Sequence, residues 1–72
     1  MNIEAKFKTD VKFRKRVITI AAEKLGCTVE MIDLRSGVAR LSRNGQRILV
    51  SLWRGIGFQD ALNQIESAVR NS

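Results

Sequence analysis

The chain has 72 residues, one cysteine and no histidine, and its formal net charge is +6 at pH 7. This length predicts a single small basic domain, residues 1–72. A lone cysteine excludes an intramolecular disulfide, and with no histidine and one cysteine a zinc site of the usual ligands cannot form. The absence of histidine also excludes a Ser–His or Cys–His nucleophile pair. We therefore expect a protein that is not an enzyme and that has no metal site and no cofactor.

The positive charge favours anionic partners, either nucleic acid (RNA or DNA) or an acidic protein. Many small proteins are basic without such a role, so charge alone leaves the question open. No apolar run approaches the ~18 residues of a membrane span. The charged residues from Glu4 onward are unlike a signal peptide, which predicts a cytoplasmic protein with no membrane contact.

The first residues alternate, with Ile3, Ala5 and Phe7 separated by charged side chains. This pattern predicts either a short strand or a helical arm. Asp10 is a suitable N-cap for a helix over residues 10–25, which a glycine follows. The apolar residues of this helix form one stripe, consisting of Phe13, Val17, Ile20, Ala21 and Leu25.

Three strands are predicted next, over Val29–Leu34, Val38–Arg43 and Gln46–Trp53, with turns at Ser36-Gly37 and Asn44-Gly45. Asn-Gly is a strong hairpin signal because a type I′ turn needs positive φ at both central residues. The amphipathic C-terminal segment predicts a second helix. The fold class is therefore α+β, an α-β-β-β-α two-layer domain with two helices on one face of a three-stranded antiparallel meander. An extra N-terminal strand stays open as an alternative.

If both turns have two residues, the register follows by counting. Leu41 then lies opposite both Ile48 and Ile32, and Asp33 forms a cross-strand ion pair with Arg40. The two turns agree on one apolar face, which the helices should cover. Its members are Ile32, Leu34, Ala39, Leu41, Ile48, Val50 and Leu52.

The opposite face of the meander has no helix left in the chain to cover it. Val38, Leu49 and Trp53 would form the centre of an interaction face there, because aromatic and arginine anchors dominate protein interfaces. This predicts a protein-protein interaction module or a small regulator or inhibitor, and the face could also form a homodimer.

Two groups of basic residues are candidates for phosphate contacts. One lies on the first helix and the other in the meander; together they are Lys12, Lys15, Arg16, Arg40, Arg43 and Arg47. They predict a non-enzymatic nucleic-acid-binding protein, the first of our two hypotheses. The alternative interpretations are a solvated helix face and sheet edges that are charged against aggregation.

Two further features near the end of the meander have competing interpretations. Trp53 could stack on a base, but packing at the edge of the core is favoured. Gly55-Ile56-Gly57 precedes a helix, as in a phosphate cradle, but a hinge between strand and helix is favoured. Cys27 is expected to be a small buried residue.

Two family resemblances follow from these segments. The element order, the basic charge and the Gly55-Ile56-Gly57 turn before a helix resemble a double-stranded-RNA-binding domain, which implies that fold. The Lys-Lys-x-Ala-Lys signature of that family is replaced here by Gln59-Asp60-Ala61-Leu62-Asn63, so its phosphate-binding lysines do not transfer. Residues 21–50 are similar to the segment that precedes the ATP-grasp domain in cyanophycin-synthetase-like ligases, which implies a structural accessory module without catalytic residues.

Overall fold

The computed structural model describes residues 2–72, in which three helices and three strands form two layers. In chain order the elements are α1 (Ile3–Thr9), α2 (Val11–Lys24), β1 (Thr28–Asp33), β2 (Val38–Arg43), β3 (Gln46–Ser51) and α3 (Phe58–Arg70). The strands form one antiparallel sheet in the order β1-β2-β3. Helix α2 packs on β1 and helix α3 on β3, which confirms the α+β fold with helices on one face.

The N-terminal residues form a helix, so the alternative of an extra N-terminal strand is wrong. The Asn2 side chain caps α1 by accepting a hydrogen bond from the Ala5 amide at 3.2 Å. Phe7 is fully buried and meets the Phe58 ring edge-on at 5.8 Å, whereas Ile3 stays 49% exposed. One deeply buried apolar anchor suffices for a short helix, while the alternating pattern would have needed a neighbouring strand.

The second hairpin has the predicted register. Arg43 pairs with Gln46 and Leu41 with Ile48. Asn44 and Gly45 have φ values of 53° and 77°, as a type I′ turn requires.

The predicted register of the first hairpin is wrong. Its turn has four residues, 34–37, so that Asp33 pairs with Val38 and Ile32 with Ala39. The Asp33 side chain accepts hydrogen bonds from the Arg35 and Ser36 amides at 3.0 and 3.2 Å. This local turn competes with continued pairing and ends the strand before Leu34.

A β-bulge between Val29 and Met31 shifts the alternation of β1. Val29 therefore packs against the core, and Glu30 reaches Arg40 on the opposite face. The predicted Asp33–Arg40 ion pair is wrong, because Arg40 lies opposite Met31 and pairs with Glu30 instead.

The predicted apolar face nevertheless forms the floor of the core. Five of its members are at most 5% exposed, namely Ala39, Leu41, Ile48, Val50 and Leu52. Ile32 and Leu34 are half-buried and pack against this cluster. Ile32 pairs with Ala39 and not with the predicted Leu41, a difference of two residues along β2. A shift of two residues keeps each side chain on its own face of the sheet.

Candidate phosphate-binding cleft

A basic cleft of about 500 Å³ opens at the end of the sheet where β1 ends and β2 begins. Four separate chain segments contribute to it: the end of α1, the start of α2, the β1–β2 turn and the loop after β3. Its lining consists of Lys8, Arg14, Leu34, Arg35, Arg54 and Gly55. Four of these six residues are cationic and none is acidic.

Arg14 is held in place by the end of α1. Its Nε donates to the Phe7 carbonyl at 2.8 Å and its Nη2 to the Lys8 carbonyl at 2.5 Å. The guanidinium also lies over the Phe7 ring, 5.6 Å from the ring centre. A cation at the C-terminal end of a helix is favourable, so this arginine joins the two helices as well as lining the cleft.

Arg35 and Arg54 project from two turns at the same end of the sheet. Within residues 2–72 neither side chain forms an ion pair. The turn that contains Arg54 is closed by a hydrogen bond of 3.1 Å from the Ile56 amide to the Trp53 carbonyl. Gly55 has φ 84° in its third position, as a type II turn requires.

Asp33 organises the turn that presents Arg35. Hydrogen bonding from the Ser36 amide, followed by its hydroxyl and the Arg35 amide, lowers the pKa of the Asp33 carboxyl. The nearby Arg35 charge acts in the same direction. The Asp33 carboxylate therefore accepts its hydrogen bonds from residues of its own turn.

Glu4 occupies the start of α3. Its Oε2 accepts a hydrogen bond of 2.9 Å from the Phe58 amide, and its Oε1 lies 3.6 Å from Lys8 Nζ. Gly57 at the N-cap has no side chain for this role. A carboxylate therefore already fills the position where the Gly55-Ile56-Gly57 segment would have cradled a phosphate, in keeping with a hinge.

Three of the predicted phosphate contacts, Lys12, Lys15 and Arg16, are exposed on the first half of α2. None of them forms an ion pair within the described residues. Helical geometry places Lys12 about 160° around the helix from Arg14. These residues therefore form a second basic surface, on another side of the helix from the cleft.

The meander arginines do not join either surface. Arg40 and Arg47 lie on the outer sheet face, with their Nε atoms 3.3 and 3.9 Å from Glu30 Oε1. Arg43 donates to the carbonyls of Leu25 and Val69, at 3.5 Å each. It thereby links the C-terminal ends of α2 and α3 at the end of the molecule remote from the cleft.

The three residues of the predicted interaction face do not lie on one surface. Leu49 is 64% exposed on the outer face, and half-buried Val38 is its diagonal neighbour because Val38 pairs with Ser51. Trp53, 48% exposed, instead lines a groove together with residues of α3.

The cleft was not among the sequence predictions. Its one signal in the sequence was that Arg35 and Arg54 adjoin turns at the same end of the meander. The contributions of Lys8 and Arg14 depend on how α1 and α2 pack, which no local pattern specifies.

Comparison with protein-family models, with curated proteins and with solved structures finds no match for this chain. Among residues 2–72, no helix has both the length and the apolar character needed to cross a bilayer. In the same residues, no three side chains of the metal-ligating types cluster together.

Proposed function

We propose that this protein is a non-enzymatic nucleic-acid-binding protein that contacts phosphate groups through the basic cleft and the exposed basic surface of α2. The observation that supports this most directly is the convergence of Lys8, Arg14, Arg35 and Arg54 on one cleft with no acidic residue in its lining. Like charges that converge repel one another, and a bound anion removes that repulsion.

The chemistry of the cleft suits a phosphodiester. Arginine presents a planar set of donors that matches phosphate oxygens, and none of the three cleft arginines has an ion-pair partner in residues 2–72. Arg14 donates to backbone carbonyls, whereas the Arg35 and Arg54 side chains make no hydrogen bond in those residues. Lys12, Lys15 and Arg16 add contacts along a longer anion. Arg43 is a weaker candidate because its guanidinium binds helix carbonyls, and Arg40 and Arg47 share the charge of Glu30.

The test compares two double variants with equal net charge. Arg35→Gln/Arg54→Gln removes the two cleft arginines that are not hydrogen-bonded within residues 2–72, unlike Arg14, and Arg47→Gln/Arg70→Gln removes two arginines elsewhere. Each pair of substitutions lowers the net charge from +6 to +4, since each removes two positive charges. Binding is measured by fluorescence anisotropy of labelled mixed-sequence oligonucleotides at two salt concentrations.

We expect the cleft double variant to weaken binding at least about tenfold, or ~1.4 kcal/mol, and the control much less. The wild-type affinity should fall steeply between 50 and 200 mM salt, as counterion release requires. Salt-independent binding would contradict the proposal, as would equal losses in the two double variants.

A second candidate function uses the outer sheet face to bind a protein. The observation that favours it is the 64% exposure of Leu49 on a face that no helix of residues 2–72 covers. Sedimentation equilibrium of the wild type and of Leu49→Ala tests the homodimer form of this hypothesis. A dimer that dissociates in the variant would support it, and a wild-type monomer at high concentration would count against that form.

A further inference from the structure

Trp53 lies at the junction of two different surfaces. It lines a groove of about 450 Å³ with Asp60, Asn63, Gln64 and Ser67 of α3, while the next residue, Arg54, lines the basic cleft. The backbone at this junction is held on both sides. The Leu52 amide donates to the Gly37 carbonyl at 2.7 Å, and the Ile56 amide donates to the Trp53 carbonyl at 3.1 Å.

The groove is chemically unlike the cleft. It contains one half-exposed indole, two amides, a hydroxyl and a carboxylate, and none of its lining residues is cationic. The Asp60 carboxylate would repel a phosphate but can accept hydrogen bonds from the amino group of a base. Asn63 Oδ1 accepts from Gln59 Nε2 at 3.2 Å, so the Asn63 amide can donate its N–H groups to another acceptor.

This arrangement matches the two halves of a nucleotide. Trp53 lines the groove and Arg54 lines the cleft, and adjacent Cα atoms lie ~3.8 Å apart, so the two sites begin at neighbouring backbone positions. A nucleotide with its base on the indole and its phosphate in the cleft would bridge them. The faces of a base are accessible to an aromatic side chain only where the base is not stacked within a duplex.

We propose that the ligand is single-stranded nucleic acid, with an unpaired base stacked on Trp53 in the α3 groove and its phosphate at Arg54. This inference rests on the proposed function and specifies its ligand. It also gives Trp53 a role separate from the outer sheet face, where Leu49 and Val38 lie.

The fluorescence of the protein reports directly on this contact, because Trp53 is the only tryptophan and the chain has no tyrosine. The probes are a mixed-sequence single-stranded octanucleotide, an octamer of the same backbone with abasic sites, and a duplex of the same sequence. We expect the single strand to quench the tryptophan emission and to bind about tenfold more tightly than the abasic octamer. The duplex should bind through its phosphates without quenching.

Two substitutions and one control complete the test. Trp53→Phe should retain the preference for the single strand over the abasic octamer, since phenylalanine also stacks. Trp53→Leu should lose that preference while it keeps salt-dependent binding. Leu49→Ala, which shortens another exposed apolar side chain, should change neither. Circular dichroism of each variant confirms that it is folded.

The outcomes separate the two proposals. Salt-dependent binding with equal affinity for the normal and abasic octamers would overturn the stacking contact and leave phosphate binding standing. Wild-type protein that binds the single strand without a change in emission would also overturn it. If none of the three probes binds at low salt, both proposals fail.

Discussion

The Glu4 carboxylate connects α1 to the start of α3. It accepts a hydrogen bond from the Phe58 amide, 54 residues away, and forms an i,i+4 ion pair with Lys8. An acceptor at a helix N-terminus satisfies an amide that has no partner within the helix. Since α3 has no capping side chain of its own, α1 serves as its cap.

We expect Glu4→Ala to lower the free energy of unfolding by about 1 kcal/mol more than Glu66→Ala. Both substitutions remove an i,i+4 ion pair, with Lys8 and with Arg70 respectively, but only the first removes the cap. Urea unfolding followed by circular dichroism measures the difference. Equal losses in the two variants would show that the cap adds no stability.

The lowered pKa of Asp33 predicts a particular response to acid. Because hydrogen bonds from the Ser36 and Arg35 amides favour the ionised carboxylate in the folded state, its stabilising effect is complete above the unfolded-state pKa. The effect is lost as the pH falls through the lower folded-state pKa, below pH ~4. Stability should therefore decline with falling pH in that range.

Asp33→Asn should show a shallower decline of unfolding free energy below pH ~4 than the wild type. Glu23→Gln is the control, since the Glu23 side chain makes no hydrogen bond or ion pair in the described residues. Urea unfolding at a series of pH values provides the measurement. A decline in Asp33→Asn as steep as in the control would contradict the assignment.

At the scale of elements, the first hairpin shows how a turn and a neighbouring loop depend on each other. Gly37 has φ 76°, and a Cβ there would lie 3.2 Å from the Trp53 Cα and 3.3 Å from the Leu52 carbonyl oxygen. The β1–β2 turn therefore packs directly on the backbone that leads to Trp53 and Arg54. The turn that carries Arg35 and the loop that carries Arg54 are therefore in direct contact.

Gly37→Ala should destabilise the fold more than Gly45→Ala. Both glycines have positive φ, and adopting it is expected to cost alanine about 1–2 kcal/mol. Of these two glycines, only Gly37 brings the added methyl group against neighbouring backbone, because no atom of the described residues lies within 4 Å of a Cβ at Gly45. Thermal unfolding of the two variants measures the contrast, and a greater loss at Gly45 would contradict it.

At the scale of the molecule, two groups of cations lie at the same end. The cleft cations and the basic surface of α2 lie at the end of the sheet where β1 ends. Arg43 lies at the opposite end, where its guanidinium donates to the carbonyls of Leu25 and Val69. Mutual repulsion within the cleft should destabilise the unliganded fold at low ionic strength, where screening is weak.

Arg35→Gln/Arg54→Gln should therefore raise the Tm by roughly 2–5 °C at 10 mM salt, and the gain should shrink at 1 M. Arg47→Gln/Arg70→Gln should show no gain, because both of those arginines have carboxylate partners. Differential scanning calorimetry at both salt concentrations measures this. A cleft double variant less stable than the wild type at low salt would show that these arginines stabilise the fold.

The sequence by itself determined the elements whose signals are local. Asn44-Gly45 specified the β2–β3 register, Asp10 the start of α2, and the apolar spacing the inner face of the sheet, because turn geometry, capping and side-chain period act over a few residues. The phosphate-contact assignments and the family resemblances stay predictions.

Only the tertiary structure decided the rest. Three features depend on neighbours that are distant in the chain. These are the helical form of residues 3–9, the bulge at Glu30 and the packing of Trp53 beside α3. The same holds for the basic cleft, whose four cations span residues 8 to 54. Charge and composition could predict that the molecule attracts anions, but the place where the cations meet follows from packing.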